Sequence, residues 1–94
     1  MLSKIPVILG DVDKEDVDRQ ILRTAIIAEL DAVNLYEQMA ALAQDGNIRA
    51  ILLDVAKEEK THVGEFQTLL LNRDKQQVEG LAAGKEEVKE EVNE

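Results

Sequence analysis

The chain has no cysteine, so neither a disulfide nor a thiolate metal site is open to it. Tryptophan is missing too, and Tyr36 and Phe66 are the only aromatic residues. That scarcity argues against a β-sheet, where aromatic and β-branched residues are enriched. The single proline, Pro6, lies ahead of every periodic segment, so the strongest helix breaker is absent from the rest of the chain. Long apolar runs are lacking as well, and nothing approaches the ~20 residues of a membrane span. Ile5 to Leu9 is shorter than the core of a typical signal peptide, and acidic residues follow it instead of a cleavage site. A cytoplasmic location is the default. Positive charge is scarce: 11 Lys and Arg face 20 Asp and Glu, a net charge of -9. That balance counts against nucleic acid and anionic membrane as partners and favours cations.

What is present is 45% apolar and 33% charged, and rich in Ala, Leu, Glu and Lys. With 94 residues the chain forms one domain at most, with a small core, and its composition suits long uninterrupted helices. The expected class is all-α: an extended segment over 1–13, an antiparallel helical hairpin over 14–72, and a short helix and acidic tail or linker over 73–94. Asp13 is placed to cap a first helix from about Lys14 to Gln44, with Glu15, Asp16 and Asp18 favoured by the dipole near its start. Its apolar stripe is Val17, Ile21, Leu22, Ala25, Ile26, Glu29, Ala32, Val33, Tyr36, Met39 and Ala40, at steps of three and four. Asp45-Gly46-Asn47 is the break, with Gly46 suited to a left-handed C-terminal cap and Asn47 able to cap the next helix. That second helix is expected from about Ile48 to Asn72, its stripe running Ile48, Ile51, Leu52, Val55, Glu59, His62, Val63, Phe66, Leu69 and Leu70. Beyond it, Gln76 to Ala83 can form a short helix that Gly80 and Gly84 interrupt, before the charge-rich tail.

Each apolar stripe contains ionisable residues. Glu59 and His62 stand at i and i+3, about one turn apart on one face, so both can reach a single ion. Glu29 occupies the stripe of the other helix. Taking the turn centre between Asp45 and Gly46, Glu29 is 16.5 residues before it and His62 is 16.5 after it. Both then sit ~25 Å from the hairpin end, and antiparallel packing brings them level. Buried carboxylates and an imidazole are costly without a metal or a partner charge. Oxygen and imidazole donors without sulfur suit iron, manganese or zinc. A Glu from one helix plus a Glu-x-x-His from another is half of a ferritin-like di-iron site. Two copies about a twofold axis supply four carboxylates and two histidines, and also complete a four-helix bundle. The expectation is a homodimer with two metal ions at its interface. Tyr36, two turns from Glu29 on the same face, is placed to hydrogen-bond a ligand carboxylate or to serve as core.

Ala28-Glu29-Leu30-Asp31-Ala32-Val33-Asn34-Leu35-Tyr36-Glu37, followed by Glu58-Glu59-Lys60-Thr61-His62, resembles the encapsulated ferritins, half-length ferritin-like proteins found inside encapsulin shells. The resemblance covers roughly residues 15–72 and includes the spacing of 30 between Glu29 and Glu59. It implies ferroxidase activity, the oxidation of iron(II) by dioxygen at a di-iron centre spanning two subunits. Glu29, Glu59 and His62 would be the metal ligands, with Tyr36 beside them in the catalytic set. It also implies a ring of five dimers, a decamer, that passes oxidised iron to the lumen of the shell. Relatives often carry acidic residues on both sides of the first ligand for metal uptake. Here Asp31 is present, and Ala28 takes the other position; Leu35 replaces a frequent tryptophan. No shell-targeting peptide is recognisable after Gly84. In some archaeal relatives a similar domain is fused to the front of the shell protein, and the charged tail suits a linker to it.

Blander readings stand beside these. Glu58 and Glu65 fit a solvated flank that can guide cations, and Asp31 is by default a surface residue. A non-enzymatic alternative has the same three ligands holding a structural zinc that closes a dimer of a helical assembly module; such sites lack an open coordination position.

Overall fold

A computed structural model describes Gly10 and residues 13–92. Three helices follow in order: α1 (Lys14–Leu42), α2 (Gly46–Leu71) and α3 (Lys75–Val92). Most of the expected N-terminal segment lies outside the described residues. No described helix is long and apolar enough to cross a membrane.

Asp13 stands at the N-cap of α1 as expected, but its backbone carbonyl, not its side chain, accepts from Asp16 and Val17. Glu15 and Asp16 lie in the first turn, where the dipole favours them, and Asp16 also pairs with Arg19. The connection to α2 corrects the sequence reading. Gly46 is no left-handed cap of α1; it is the first residue of α2. The chain reverses instead through extended backbone at Ala43 (φ -65°, ψ 133°) and Asp45 (φ -82°, ψ 130°). Asp45, not Asn47, caps α2, its carboxylate accepting from Asn47 N and Ile48 N at 2.9 Å each. Arg49 then reaches back to the carbonyls of Ala40 and Ala43, occupying orphan acceptors at the end of α1.

The hairpin is antiparallel: Glu37 of α1 meets Lys60 of α2, and Glu29, further from the turn, meets His62. Val33 and Ala40 of α1 and Ala56 and Leu70 of α2 are buried. Ala40 and Ala56 are each only 2% exposed, and their small side chains let the helices approach closely. Those four are the whole buried apolar set among the described residues. A radius of gyration of 16.6 Å exceeds the ~12 Å of a compact domain of this size, as an open hairpin would give.

α3 runs unbroken through Gly80 and Gly84, where interruption was expected. Each glycine costs about 1 kcal/mol in a helix interior, but Leu81, Ala82 and Ala83 between them and Lys85 to Val92 beyond are mostly good helix formers. The start of α3 is also firmly held. Asp74 is buried, accepts from Gln77 N at 3.0 Å, and accepts from the Arg23 guanidinium of α1 at 2.7 Å. One carboxylate thus caps α3 and ties it to α1. The Arg23 hydrogen bond first, and then the Gln77 N–H, hold the Asp74 carboxyl below its ordinary range, against the opposing effect of burial. α3 itself buries no residue.

Candidate metal centre

Glu29, on α1, sits on the side turned toward α2 because it shares the azimuth of Val33 and Ala40. Glu59 and His62 occupy successive turns of α2. The antiparallel register brings the three together. His62 Nδ1 is 3.4 Å from Glu29 Oε2 and 3.5 Å from Glu59 Oε2. One donor atom from each residue falls within 4.8 Å of the others.

These separations exceed an ordinary N–H···O bond, whose mode is about 2.9 Å. They do match a shared ion. Two ligand atoms ~2.1 Å from one metal lie ~3.0 Å apart at a right angle and ~3.4 Å apart at the tetrahedral angle. Glu29 Oε2 is buried and has no hydrogen-bond partner. A buried, unpaired carboxylate oxygen is costly, and a cation would satisfy it. No Lys or Arg among the described residues pairs with Glu29 or Glu59; Lys60 turns away to Glu37 at 3.4 Å. The donor set is two carboxylates and an imidazole, which suits iron, manganese or zinc. By charge, geometry and ligand chemistry the residues fit a divalent transition metal.

Exposure is graded across the group. The Glu29 and Glu59 side chains are 19% and 18% exposed, whereas His62 is 43% exposed. The imidazole therefore faces outward from the hairpin. Glu29 and His62 line an open cleft of about 290 Å³ together with Glu65 and Phe66.

Tyr36 is half-buried two turns from Glu29, outside both the three-residue cluster and the cleft lining, and its hydroxyl makes no hydrogen bond among the described residues. Asp31 is also outside the cluster: two residues from Glu29, it projects from another face of α1. Two features of the molecule were missed in the sequence. Glu65, assigned to the solvated flank, is part of the cleft wall, and the three-residue recurrence Glu59, His62, Glu65 was the available signal. The Arg23–Asp74 tie joins residues 51 apart, and no local pattern announces it.

The chain is similar to the Ferritin-like-encapsulin shell fusion protein of Pyrococcus furiosus, at 59% identity over 93 residues, covering 96% of this chain and 27% of that protein. It is also similar to the encapsulin nanocompartment cargo protein EncB of Myxococcus xanthus, at 37% identity over 60 residues, covering 64% of this chain and 37% of that one. The chain thus spans about a quarter and about a third of these relatives' lengths. The crystal structure of the encapsulated ferritin domain from Pyrococcus furiosus superposes with a TM-score of 0.84 at 56% identity, covering 100% of this chain and 98% of that domain. The EncFtn-like family matches residues 8–83. The chain belongs to the EncFtn-like family.

Proposed function

We propose that this protein is a ferroxidase that oxidises iron(II) with dioxygen at a two-metal centre shared by two subunits, supplying iron(III) to an encapsulin nanocompartment. The observation that carries the reading is the convergence of Glu29, Glu59 and His62 around a buried, unpaired Glu29 oxygen. Each chain holds two carboxylates and one imidazole there. A second copy completes the ligand set of a ferritin-like di-iron centre.

The exposed apolar surface supports that assembly. At 100° per residue, Ile21 and Met39 of α1 share an azimuth about 80° from Glu29, and Ile51 and Leu69 of α2 lie about 20° from His62. All four are exposed in the single chain. His62 therefore stands in the middle of an uncovered apolar face, and a second hairpin laid on that face brings two half-sites together. The buried set of the lone hairpin is small, so dimerisation also supplies the missing core. A ring of such dimers is expected from likeness to the encapsulated ferritins.

The chemistry rests on the residues present. The four carboxylates of a dimer neutralise two divalent ions and favour the trivalent product more strongly than the substrate. Three donors from each chain would leave each ion coordination positions for dioxygen. Two iron(II) ions give up one electron each; dioxygen takes both electrons and two protons, leaving two iron(III) ions and hydrogen peroxide. Tyr36 is assigned to the surroundings of this centre and Asp31 to cation capture near it. The names of the relatives, an encapsulin fusion and an encapsulin cargo, support delivery to a shell.

Aerobic addition of iron(II), with the growth of iron(III) absorbance as readout, tests the activity. The unaltered protein should oxidise iron faster than His62→Ala and Glu29→Ala; equal rates would overturn the proposal.

A further inference from the structure

Glu65 has no task in the proposed centre. Its place is defined by α2: Glu59, His62 and Glu65 recur every three residues, each step advancing about 4.5 Å along the axis and turning about 60° backward. The row climbs out of the protein. Glu59 is 18% exposed, His62 43%, and Glu65 is exposed. Glu65 nonetheless lines the same cleft as Glu29 and His62, with Phe66 as its apolar wall. Its carboxylate has no hydrogen bond or ion pair among the described residues. The cleft thus holds an outer carboxylate that no cation among the described residues claims, one helical turn from an imidazole 3.4 Å from a buried oxygen that has no hydrogen bond.

We infer that Glu65 is the capture residue of this cleft, binding a hydrated divalent transition-metal ion from solvent and passing it inward to His62 and Glu29. This rests on the proposed metal centre at Glu29, Glu59 and His62. An exposed carboxylate keeps most of its hydration and binds an ion weakly, as a transfer point requires. The inner oxygen gains far more from the same ion because it has no water to lose. The gradient from exposed to buried carboxylate therefore drives the ion in one direction. Phe66 contributes no donor, so an ion entering the cleft meets ligands only along the Glu65, His62, Glu29 line. Charge near the mouth raises the local cation concentration and so the rate of association, by an amount that falls with salt.

Cobalt(II) absorbance, read by stopped flow under nitrogen, separates capture from residence without any oxidation. The unaltered protein, Glu65→Gln, Glu65→Asp and His62→Ala are compared at low and high salt. Glu65→Gln should slow loading roughly 3- to 10-fold at low salt, with a smaller deficit at high salt, and reach the same final spectrum. Glu65→Asp should restore most of the rate. Loading of Glu65→Gln at the unaltered rate overturns the inference, and so does loss of its final spectrum, which would make Glu65 a resident ligand. His62→Ala should lose the spectrum. If the unaltered protein itself develops no cobalt spectrum, the metal-centre reading fails instead.

Discussion

Arg23 of α1 donates to the buried carboxylate of Asp74 at 2.7 Å, bridging 51 residues of sequence. Because Asp74 also caps α3, this contact sets where the third helix begins relative to the hairpin. The lowered Asp74 pKa gives the tie a sign. A carboxyl whose folded value lies below its unfolded value adds stability above the unfolded value of about 3.9, and loses it as pH falls through the folded value. Carbon-detected NMR titration should place the Asp74 midpoint below that reference. Arg23→Gln should move the midpoint upward and lower the helicity of α3; an unmoved midpoint would disprove the assignment.

Glu29 places stability and metal binding in opposition. Its Oε2 is buried without a partner, and such a group costs about 1–3 kcal/mol. Glu29→Gln, which removes the charge and adds donors, should therefore stabilise the chelator-treated protein. Each kcal/mol corresponds to ~4–8 °C in a domain of this size. The same variant should bind cobalt(II) or zinc(II) more weakly in calorimetry. Thermal scans with and without added metal should cross over between the two proteins.

The exposed apolar face leads to a prediction about assembly. Ile51→Glu or Met39→Glu places a charge about three turns from the half-site, on the surface assigned to the second copy. Either should weaken self-association roughly tenfold or more, as loss of a central interface side chain does. Sedimentation across a dilution series reads this out directly. Metal affinity should fall in parallel, although neither residue is a ligand.

The corrected turn carries its own test. Gly46 lies in the first turn of α2 with no left-handed backbone, and a side chain there would meet nothing within 4 Å. Gly46→Ala should stabilise the protein by about 0.4–1 kcal/mol. Asp45→Ala should cost about 0.5–2 kcal/mol, because the cap of α2 goes with it. Denaturant midpoints of the two variants should shift in opposite directions.

The two main helices and the meeting of Glu29, Glu59 and His62 were legible in the sequence because each rests on a regular period. Steps of three and four residues define a face, and residue counts from a turn define a height. The family was legible for the same reason: its motif is a spacing. Conformations decided by one or two residues were not. Gly46 and Asn47 look like a cap and a start, yet Asp45 offers a charged acceptor to two N–H groups and shifts the boundary. Gly80 and Gly84 look like breaks, yet the helix formers around them and the Asp74 cap outweigh their cost. The Arg23–Asp74 tie stayed hidden because it depends on how α3 leaves the hairpin. Glu65 was assigned to the flank because exposure, not pattern, distinguishes an outer carboxylate from an inner one.

Glu29 and His62 meet across the hairpin, which makes the chain between them length-critical. One residue inserted in either arm would rotate its donor by about 100° and slide it ~1.5 Å, and no side-chain rotamer repairs both errors. Four inserted residues nearly restore the rotation but carry the donor ~6 Å too far. Variation in length among natural homologues should therefore gather outside the interval bounded by Glu29 and His62.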